Sequence, residues 1–352
     1  MAHNHQFAGA MLEKGAASYA GLAASLMQER HASELGTPDS HKVWKSHITQ
    51  RVLELSAALN VGEPELFANR ATWFRKALKA RKVDDELVAN SLECLRDTLS
   101  ERLPEAGKKA PIEYINLALS TLKNDVGSLE DSELNPGVAT DRQALNYLQK
   151  VLEGNSAAAI NSLLDSLQDG QSPASIYCDV LLAAQREIGR LWHIGDATVA
   201  EEHLVTSSTI RAMAIISHNC KPEKENGKTL IAASVANNAH DVGVRAIADL
   251  YQLAGWRVIY LGSDVPVLDL PVMVGYFDAD LLVISATLDT QIPIVANAIQ
   301  GIRERSEQEV KIMVGGYAFD QAPSMASTVG ADAYTSTVTE ALTTGTSLTA
   351  LT

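Results

Sequence analysis

The chain has 352 residues, which exceeds what one hydrophobic core usually organises and predicts two or three domains. Hydrophobic residues make up 46% of it and charged residues 20%, as in globular proteins, and no apolar run approaches the length of about 18 residues that a membrane-spanning helix needs. The 43 acidic against 29 basic residues give a net charge of −14, which repels a phosphate backbone. We therefore expect a soluble protein that binds neither a membrane nor nucleic acid directly.

Cysteine usage and the N-terminus predict where the protein resides. Cys94, Cys178 and Cys220 are odd in number, lie far apart and form no CxxC pair. The N-terminus lacks the basic stretch followed by an apolar one that a secretory signal has. Both features predict a reduced, cytoplasmic protein.

The first two thirds of the chain have a helical pattern. From about Phe7 to residue 218, apolar residues recur at spacings of three and four, and β-branched runs are scarce. Two polar, turn-rich segments, at 127–140 and 218–229, are long enough to separate domains. The predicted domains are a helical region at 1–130, a second helical region at 138–220 and a third domain at 227–352.

The third domain has the rhythm of a parallel sheet with crossover helices. Its apolar strands alternate with helical stretches such as VGVRAIADLYQLAG, and the strands read LIAASV, RVIYLG, DLLVISA and KIMVGG. In the flavodoxin-like order 2-1-3-4-5, strands one, three and four are neighbours, so the loops after them meet at one crevice. Those loops carry Asn238-Ala239-His240-Asp241-Val242-Gly243, Ser285-Ala286-Thr287 and Gly315-Gly316. The predicted fold class is therefore α plus α/β, with a doubly wound sheet at the C-terminus.

The spacing of these loops resembles the cobalamin-binding signature, in which Asp/Glu-x-His-x-x-Gly is followed at fixed intervals by Ser-x-Val/Leu/Thr and Gly-Gly. Here 41 residues separate Gly243 from Ser285, and 27 separate Thr287 from Gly315. The resemblance implies that His240 is the lower cobalt ligand, in place of the cofactor's own dimethylbenzimidazole. Independently of the resemblance, a neutral imidazole at a strand end is a good ligand for such an ion.

The other loop residues are expected to surround the benzimidazole tail. Gly243 permits tight entry into the next helix, Gly315 and Gly316 leave backbone room for the tail, and Ser285 can donate a hydrogen bond to it. The predicted cofactor-binding set of this domain is Asn238, His240, Asp241, Val242, Gly243, Ser285, Thr287, Gly315 and Gly316.

One position departs from the signature. The acidic residue two before the histidine is Asn238 here, an amide that can accept a hydrogen bond from the imidazole but carries no charge. Such partners tune ligand basicity, so the support for His240 is expected to be weaker than in the family. Asp241 is expected to serve as a charge partner at the start of the following helix.

A four-helix bundle often precedes such a domain and covers the upper face of the corrin, and residues 141–218 have the length and period of one. Trp192, nine further residues and then Glu202-His203 resemble the Trp-x9-Glu-His pattern of the light-sensing adenosylcobalamin domains of the CarH type. The resemblance, which covers residues 141–340, implies that Trp192 packs over the adenosyl group. It implies that Glu202 and His203 hold that group or the corrin edge. His193 is the candidate upper cobalt ligand after light.

The N-terminal region predicts about five longer helices and no compact helix-turn-helix, so direct operator binding is not expected. Two neighbouring helices carry an unusual set of arginine and aromatic side chains, namely Trp44, His47, Arg51, Arg70, Trp73 and Phe74. Arginines pair with carboxylates and aromatic rings stack on conjugated systems, so this face suits a bilin. The arrangement resembles photocobilins, in which a CarH-type unit is combined with a biliverdin-binding helical module. The alternative is ordinary helix packing with solvated basic tips.

These observations predict a cytoplasmic light sensor, not an enzyme, that binds adenosylcobalamin and has biliverdin as a second chromophore. Light is expected to break the bond between cobalt and carbon, shift the bundle and change the state of a homo-oligomer that signals to an unidentified protein. One alternative is a corrinoid methyl carrier for a separate methyltransferase, which would use the same His240 and an exposed upper cobalt face. The other is a light-insensitive cobalamin-binding scaffold whose N-terminal helices dock a partner.

Overall fold

The computed structural model describes residues 2–35, 40–84, 86–124, 131–305 and 309–350. The chain divides into two compact units, Met1–Leu129 and Glu130–Thr352. The start of the predicted boundary segment 127–140 lies outside the described residues. Within the described ranges, every helix is too short or too polar to cross a membrane.

The first unit is helical throughout its described residues. Its helices are α1 (Ala2–Arg30), α2 (Ala32–Leu35), α3 (Ser40–Val61), α4 (Pro64–Ala80), α5 (Glu86–Arg102) and α6 (Glu105–Asn124). Apolar residues at helical spacing build its core, as in α5, where Val88, Leu92, Leu95 and Leu99 recur at three and four and are fully buried. This pattern is the reason that the segment folds as helices.

The second unit begins with a four-helix bundle whose third helix contains a π-helical turn. The elements are α7 (Ala139–Leu152), α8 (Ser156–Gln168), α9 (Pro173–Ser175), the π-helical turn (Ile176–Leu181), α10 (Leu182–His193) and α11 (Val199–Asn219). A capping box begins α11: the Glu201 N–H donates to the Thr198 hydroxyl, and the Thr198 N–H donates to the Glu201 carboxylate. Apolar side chains such as Val151, Leu163 and Met213 fill the bundle core.

The rest of the second unit is a parallel sheet flanked by helices. Its main elements are β1 (Thr229–Val235), α12 (Val242–Leu253), β2 (Arg257–Val265), α13 (Asp269–Phe277), β3 (Leu281–Ser285), α14 (Ile292–Arg305), β4 (Lys311–Gly315), α15 (Tyr317–Gln321), α16 (Met325–Thr328), β5 (Ala333–Thr335) and α17 (Val338–Ala350). The strand order β2-β1-β3-β4-β5 confirms the predicted fold class. β5 has three residues, too few to give an apolar run in the sequence.

Helix α12 packs against both the bundle and the sheet. Ala246 and Leu250 belong to the apolar cluster of the bundle, together with Val338 at the start of α17. Val244 and Tyr251 on the other face of α12 belong to the cluster of the sheet. Since α12 directly follows the predicted ligand loop, the bundle is packed on the element that this loop leads into.

Candidate functional site

The three predicted loops follow strands β1, β3 and β4, which are in register with one another near their carboxyl ends. Ser234 in β1 is the register partner of Ser285 in β3, and Ser285 is the register partner of Gly315 in β4. Because the strands are parallel, the loops that follow them lie side by side at the carboxyl edge of the sheet. The structure therefore brings the three predicted loops together.

Asn238 fixes the orientation of the His240 ring. Asn238 is fully buried; its Nδ2 donates to the Ser285 carbonyl at 3.2 Å, and its Oδ1 accepts from the His240 backbone N–H at 3.1 Å. These backbone partners settle which amide atom is which, so His240 Nδ1, 3.2 Å from Oδ1, carries a proton and donates it. The lone pair is then on Nε2. Since His240 is exposed, that lone pair is accessible to a metal ion.

Two side chains that sequence reasoning missed connect these loops. Gln291 is 1% exposed; its Oε1 accepts from the backbone N–H groups of Thr287 and Leu288 at 2.8 and 3.0 Å. Its Nε2 donates to the Asn237 carbonyl at 2.7 Å, and the Asn237 N–H donates to Asp264 at 2.7 Å. The bonds join the loops after β1 and β3 to each other and to the end of strand β2. No motif in the local sequence marks either residue.

The glycines of the motif have different surroundings. Gly316 has a φ of +94°, and a Cβ there would lie 2.4 Å from the Ala286 carbonyl oxygen, while a Cβ at Gly315 would lie 2.9 Å from the Thr335 carbonyl oxygen. Close packing against the loop after β3 therefore requires Gly316, and close packing against strand β5 requires Gly315. A Cβ at Gly243, in contrast, would meet no atom of the described residues within 4 Å. The accessible imidazole and the clear approach at Gly243 fit a large planar corrinoid.

A matched pair of alanine variants tests this difference. Gly316→Ala is expected to lower the free energy of unfolding by about 1–3 kcal/mol, because a side chain is strained at this φ and clashes with backbone. Gly243→Ala, in the first turn of α12, is expected to stabilise the fold by about 0.5–1 kcal/mol and yet weaken cobalamin binding. Denaturant unfolding and spectroscopic titration with cobalamin measure the two effects. Unchanged cobalamin affinity in Gly243→Ala would show that this position does not face the cofactor.

Asp241 differs from its predicted role as a charge partner of the helix start. Its side chain makes no capping hydrogen bond. Instead, its Oδ2 accepts from the Tyr260 hydroxyl at 2.5 Å and lies 3.7 Å from a guanidinium nitrogen of Arg245, which stacks over the Tyr260 ring at 4.6 Å. The phenol and the guanidinium offer the carboxylate direct partners. Val242 is half-buried and packs against the bundle core.

Four predicted cofactor-binding residues lie where α10 ends and α11 begins. Trp192 is half-buried, and His193, the last residue of α10, is 4% exposed and so enclosed by protein. Glu202 Oε2 lies 2.6 Å from Nδ1 of His203, whose side chain is 73% exposed. Glu202 and His203 are therefore paired with each other.

A row of hydrogen bonds holds Glu202 from inside the bundle. The Thr206 hydroxyl lies 2.7 Å from Glu202 Oε1 and 2.9 Å from the Gln185 amide. The same amide donates to Thr209 at 2.9 Å, and Thr209 lies 3.2 Å from the Tyr147 hydroxyl. Burial raises the pKa of Tyr147 to about 12, so the phenol stays protonated. Sequence reasoning missed this row because its members lie on different helices.

The residues predicted for a bilin gather between α3 and α4 and pack on one another. The Trp44 and His47 ring centroids are 5.6 Å apart, and those of His47 and Phe74 are 4.9 Å apart. The Arg51 guanidinium lies 4.4 Å from the Phe74 ring centroid. Burial, with a smaller contribution from Arg51, holds the pKa of His47 below its usual value.

The arginines of this group have a carboxylate partner within the protein, which sequence reasoning missed. Arg51 donates to both oxygens of Glu54 at 2.5 and 2.6 Å, and the two residues are 4% and 1% exposed. Arg70 lies 3.5 Å from Glu54 and stacks over Trp73 at 4.7 Å. The arrangement has the features of helix packing around a buried ion pair.

Comparisons with known proteins identify the second unit. A family model described as a B12 binding domain matches residues 228–343, and another with the same description matches residues 145–217. Dimethylamine corrinoid protein 2 of Methanosarcina acetivorans is 24% identical over 208 residues, 58% of this chain and 95% of that protein. Dimethylamine corrinoid protein 3 of Methanosarcina mazei is 30% identical over 115 residues, 32% of this chain and 68% of that protein. The monomethylamine corrinoid protein structure from Methanosarcina barkeri, with TM-score 0.52 and 19% identity over 60% of this chain and 100% of that one, shares the fold.

These findings correct the functional prediction. The light-sensor prediction is wrong, because the relatives matched over nearly their whole length are corrinoid proteins named for methylamines. The spacing of Trp192 and Glu202-His203 is therefore not sufficient to identify a photoreceptor cap. The prediction of a cobalamin-type cofactor is confirmed at the level of the family. The chain belongs to the family of B12-binding corrinoid proteins.

Proposed function

We propose that this chain is the methyl-carrying corrinoid subunit of a methyltransferase system. The observation that carries the proposal is the Asn238–His240 pair, which leaves an accessible imidazole nitrogen at the edge where three loops meet. The relatives named dimethylamine corrinoid protein support the methyl-transfer class, since the chain covers 95% of the first of them.

The corrinoid would supply a cobalt ion that accepts a methyl group from one partner and gives it to another. The chain's own residues would bind and orient the corrinoid. His240 would hold the cobalt ion through Nε2, while Asn238 keeps the proton on Nδ1. Gln291 and Asp264 hold the surrounding loops in register, so the imidazole is presented in one position.

The partner of such a carrier is a methyltransferase on another chain. Glu202 and the exposed His203, which the sequence predicted to contact the cofactor, would be among the residues that such a partner meets.

The test is methyl uptake by the reconstituted full chain. The protein is loaded with hydroxocobalamin, reduced, treated with radiolabelled methyl iodide in dim light and separated from small molecules. We expect label to elute with the protein in proportion to bound cobalamin and to be released when a thiol acceptor and a methyltransferase that transfers methyl groups from corrinoids to thiols are added. Free methylcobalamin is the control for uncatalysed release. Cobalamin-loaded protein that retains no label, or releases it no faster than the free cofactor, contradicts the proposal.

Several finer predictions lack support from the comparisons. The adenosyl form of the cofactor, biliverdin as a second ligand, self-association and a cytoplasmic location stay predictions. For biliverdin, the existing pairing of Arg51 with Glu54 is an obstacle, because a propionate would have to replace a buried carboxylate. Mixing the chain with biliverdin and looking for a stoichiometric red-absorbing complex decides the point.

A further inference from the structure

The hydroxyl group of Tyr177 has one proton, yet it lies within hydrogen-bond distance of two other oxygen atoms. Its hydroxyl oxygen lies 2.8 Å from the Met213 backbone carbonyl and 2.9 Å from Asp249 Oδ2. Tyr177 is fully buried in the π-helical turn of the bundle, and burial raises its pKa, so the phenol is neutral. The carbonyl can only accept, and the phenol has one proton. Both contacts are therefore full hydrogen bonds only if the carboxyl group of Asp249 donates to the phenol oxygen.

We propose that Asp249 is a neutral carboxylic acid that donates to Tyr177, and that this bond positions the helical bundle on the cobalamin-binding part of the unit. Asp249 lies on α12, whereas both other members of the contact, Tyr177 and Met213, belong to the bundle. The bond therefore crosses from one part to the other. The inference goes beyond the proposed function and does not depend on it.

The surroundings favour the neutral form. Asp249 is half-buried beside the apolar contacts that Ala246 and Leu250 make with the bundle core. Burial raises the pKa of Asp249, and the positive charge of Arg245, one turn earlier on α12, opposes this rise. If Tyr177 donated a hydrogen bond to Asp249, that bond would also lower the pKa of Asp249. If Asp249 donates the bond to Tyr177, the bond raises the pKa of Asp249 further.

Arg245 is the cation that faces the pair, and the other titratable groups there are neutral. Cys220, at the end of the bundle, faces Tyr177, and burial raises the pKa of its thiol, so it stays neutral. Tyr260 in β2 faces Asp249 from the sheet, and burial also keeps its phenol protonated. Arg245 is engaged with Asp241 and the Tyr260 ring. Ionised Asp249 would compete with the Met213 carbonyl for the single phenol proton.

The difference between the pKa of Asp249 in the folded chain and in the unfolded chain determines how the free energy of unfolding depends on pH. Because the pKa of Asp249 is raised in the folded chain, the folded chain keeps a proton that the unfolded chain loses at the ordinary pKa of an aspartate. The contribution of protonated Asp249 to the free energy of unfolding is fully present at pH values below the ordinary pKa of an aspartate. This contribution is lost as the pH rises through the raised pKa of Asp249.

The experiment compares Tyr177→Phe at about pH 4.5 and about pH 8, in the natural chain and in Asp249→Asn. In the natural chain, the loss of the hydroxyl is expected to raise the unfolding equilibrium constant about fivefold more at the lower pH, because only there does it accept a bond from Asp249. In Asp249→Asn, whose amide donates at every pH, the effect is expected to be equal at both. Tyr251→Phe is the control, since that hydroxyl donates to the Ala341 carbonyl at 2.8 Å without a carboxyl partner.

Equal effects of Tyr177→Phe at both pH values in the natural chain would overturn the proposal. If the variant does not fold, the carboxyl carbon signal of Asp249 in the natural full chain, assigned by its absence in Asp249→Asn, decides instead. A resonance that titrates well above the ordinary range of aspartate supports the proposal. A resonance that titrates within the ordinary range of aspartate contradicts the proposal.

Discussion

Replacing His240 by alanine is expected to abolish nitrogen coordination of the bound cobalt. The imidazole is exposed, its Nδ1 proton is donated to Asn238, and its Nε2 has no hydrogen-bond partner among the described residues. Without that ligand, cobalamin should bind more weakly than in Asn238→Ala, for which the loss of ring orientation alone is expected to cost about 10–100-fold in affinity. Electron paramagnetic resonance of the reduced cobalt form, with 15N-labelled histidine, measures the coordination directly.

His218→Ala provides the matched control, since this exposed histidine lies in the last turn of α11. It should leave both the affinity and the nitrogen coupling unchanged. Retention of histidine coupling in His240→Ala would show that another imidazole is the ligand. Asn238→Asp should keep the two bonds that the amide oxygen accepts but lose the bond that Nδ2 donates to the Ser285 carbonyl, so we expect it to bind cobalamin with a lower free energy of unfolding.

Replacing Glu54 by alanine is expected to cost about 3–5 kcal/mol of unfolding free energy in the N-terminal unit. The carboxylate is 1% exposed and accepts two hydrogen bonds from Arg51, which is itself 4% exposed. Its removal leaves the guanidinium buried without its counter-ion, and Nη1 of Arg51 already has no hydrogen-bond partner among the described residues. Chemical denaturation followed by tryptophan fluorescence reports the loss, since Trp44 lies in the same cluster.

Glu101→Ala is the control for that variant, because Glu101 and its partner Arg102 are 71% and 54% exposed at the side chain. Such a pair contributes little in water, and the free energy of unfolding should change by less than about 0.5 kcal/mol. Equal small effects in both variants would mean that the buried pair is hydrated in solution. A double variant, Arg51→Met with Glu54→Leu, is expected to recover most of the loss, as apolar replacements of buried ion pairs do.

Much of the cobalamin-binding part was predictable from the sequence because its signal is local. Each strand run and the loop that carries His240 consist of a few adjacent residues, and parallel strands necessarily bring their carboxyl-end loops together. Strand β5 was not predictable in this way, since Ala333–Thr335 gives no apolar run.

The contacts that were missed join residues far apart in the chain or lie inside one helix without a motif. Gln291 contacts Asn237 across 54 positions, and Tyr177 contacts Asp249 across 72. Glu54 is three residues from Arg51, yet the sequence does not reveal that both side chains turn into the core. The spacing of Trp192 and Glu202 was visible, but a spacing shared with a light sensor does not specify the chemistry above the metal.

Asn238, the hydrogen-bond partner of the proposed cobalt ligand His240, has a consequence for electron transfer. A carboxylate at position 238 would place a full negative charge beside the imidazole, and that charge would disfavour each electron added to the metal. With Asn238, the ligand and its buried support are together neutral. The reduced metal is therefore penalised less, and the midpoint potential of this chain should be more positive than that of an otherwise identical protein with aspartate at this position.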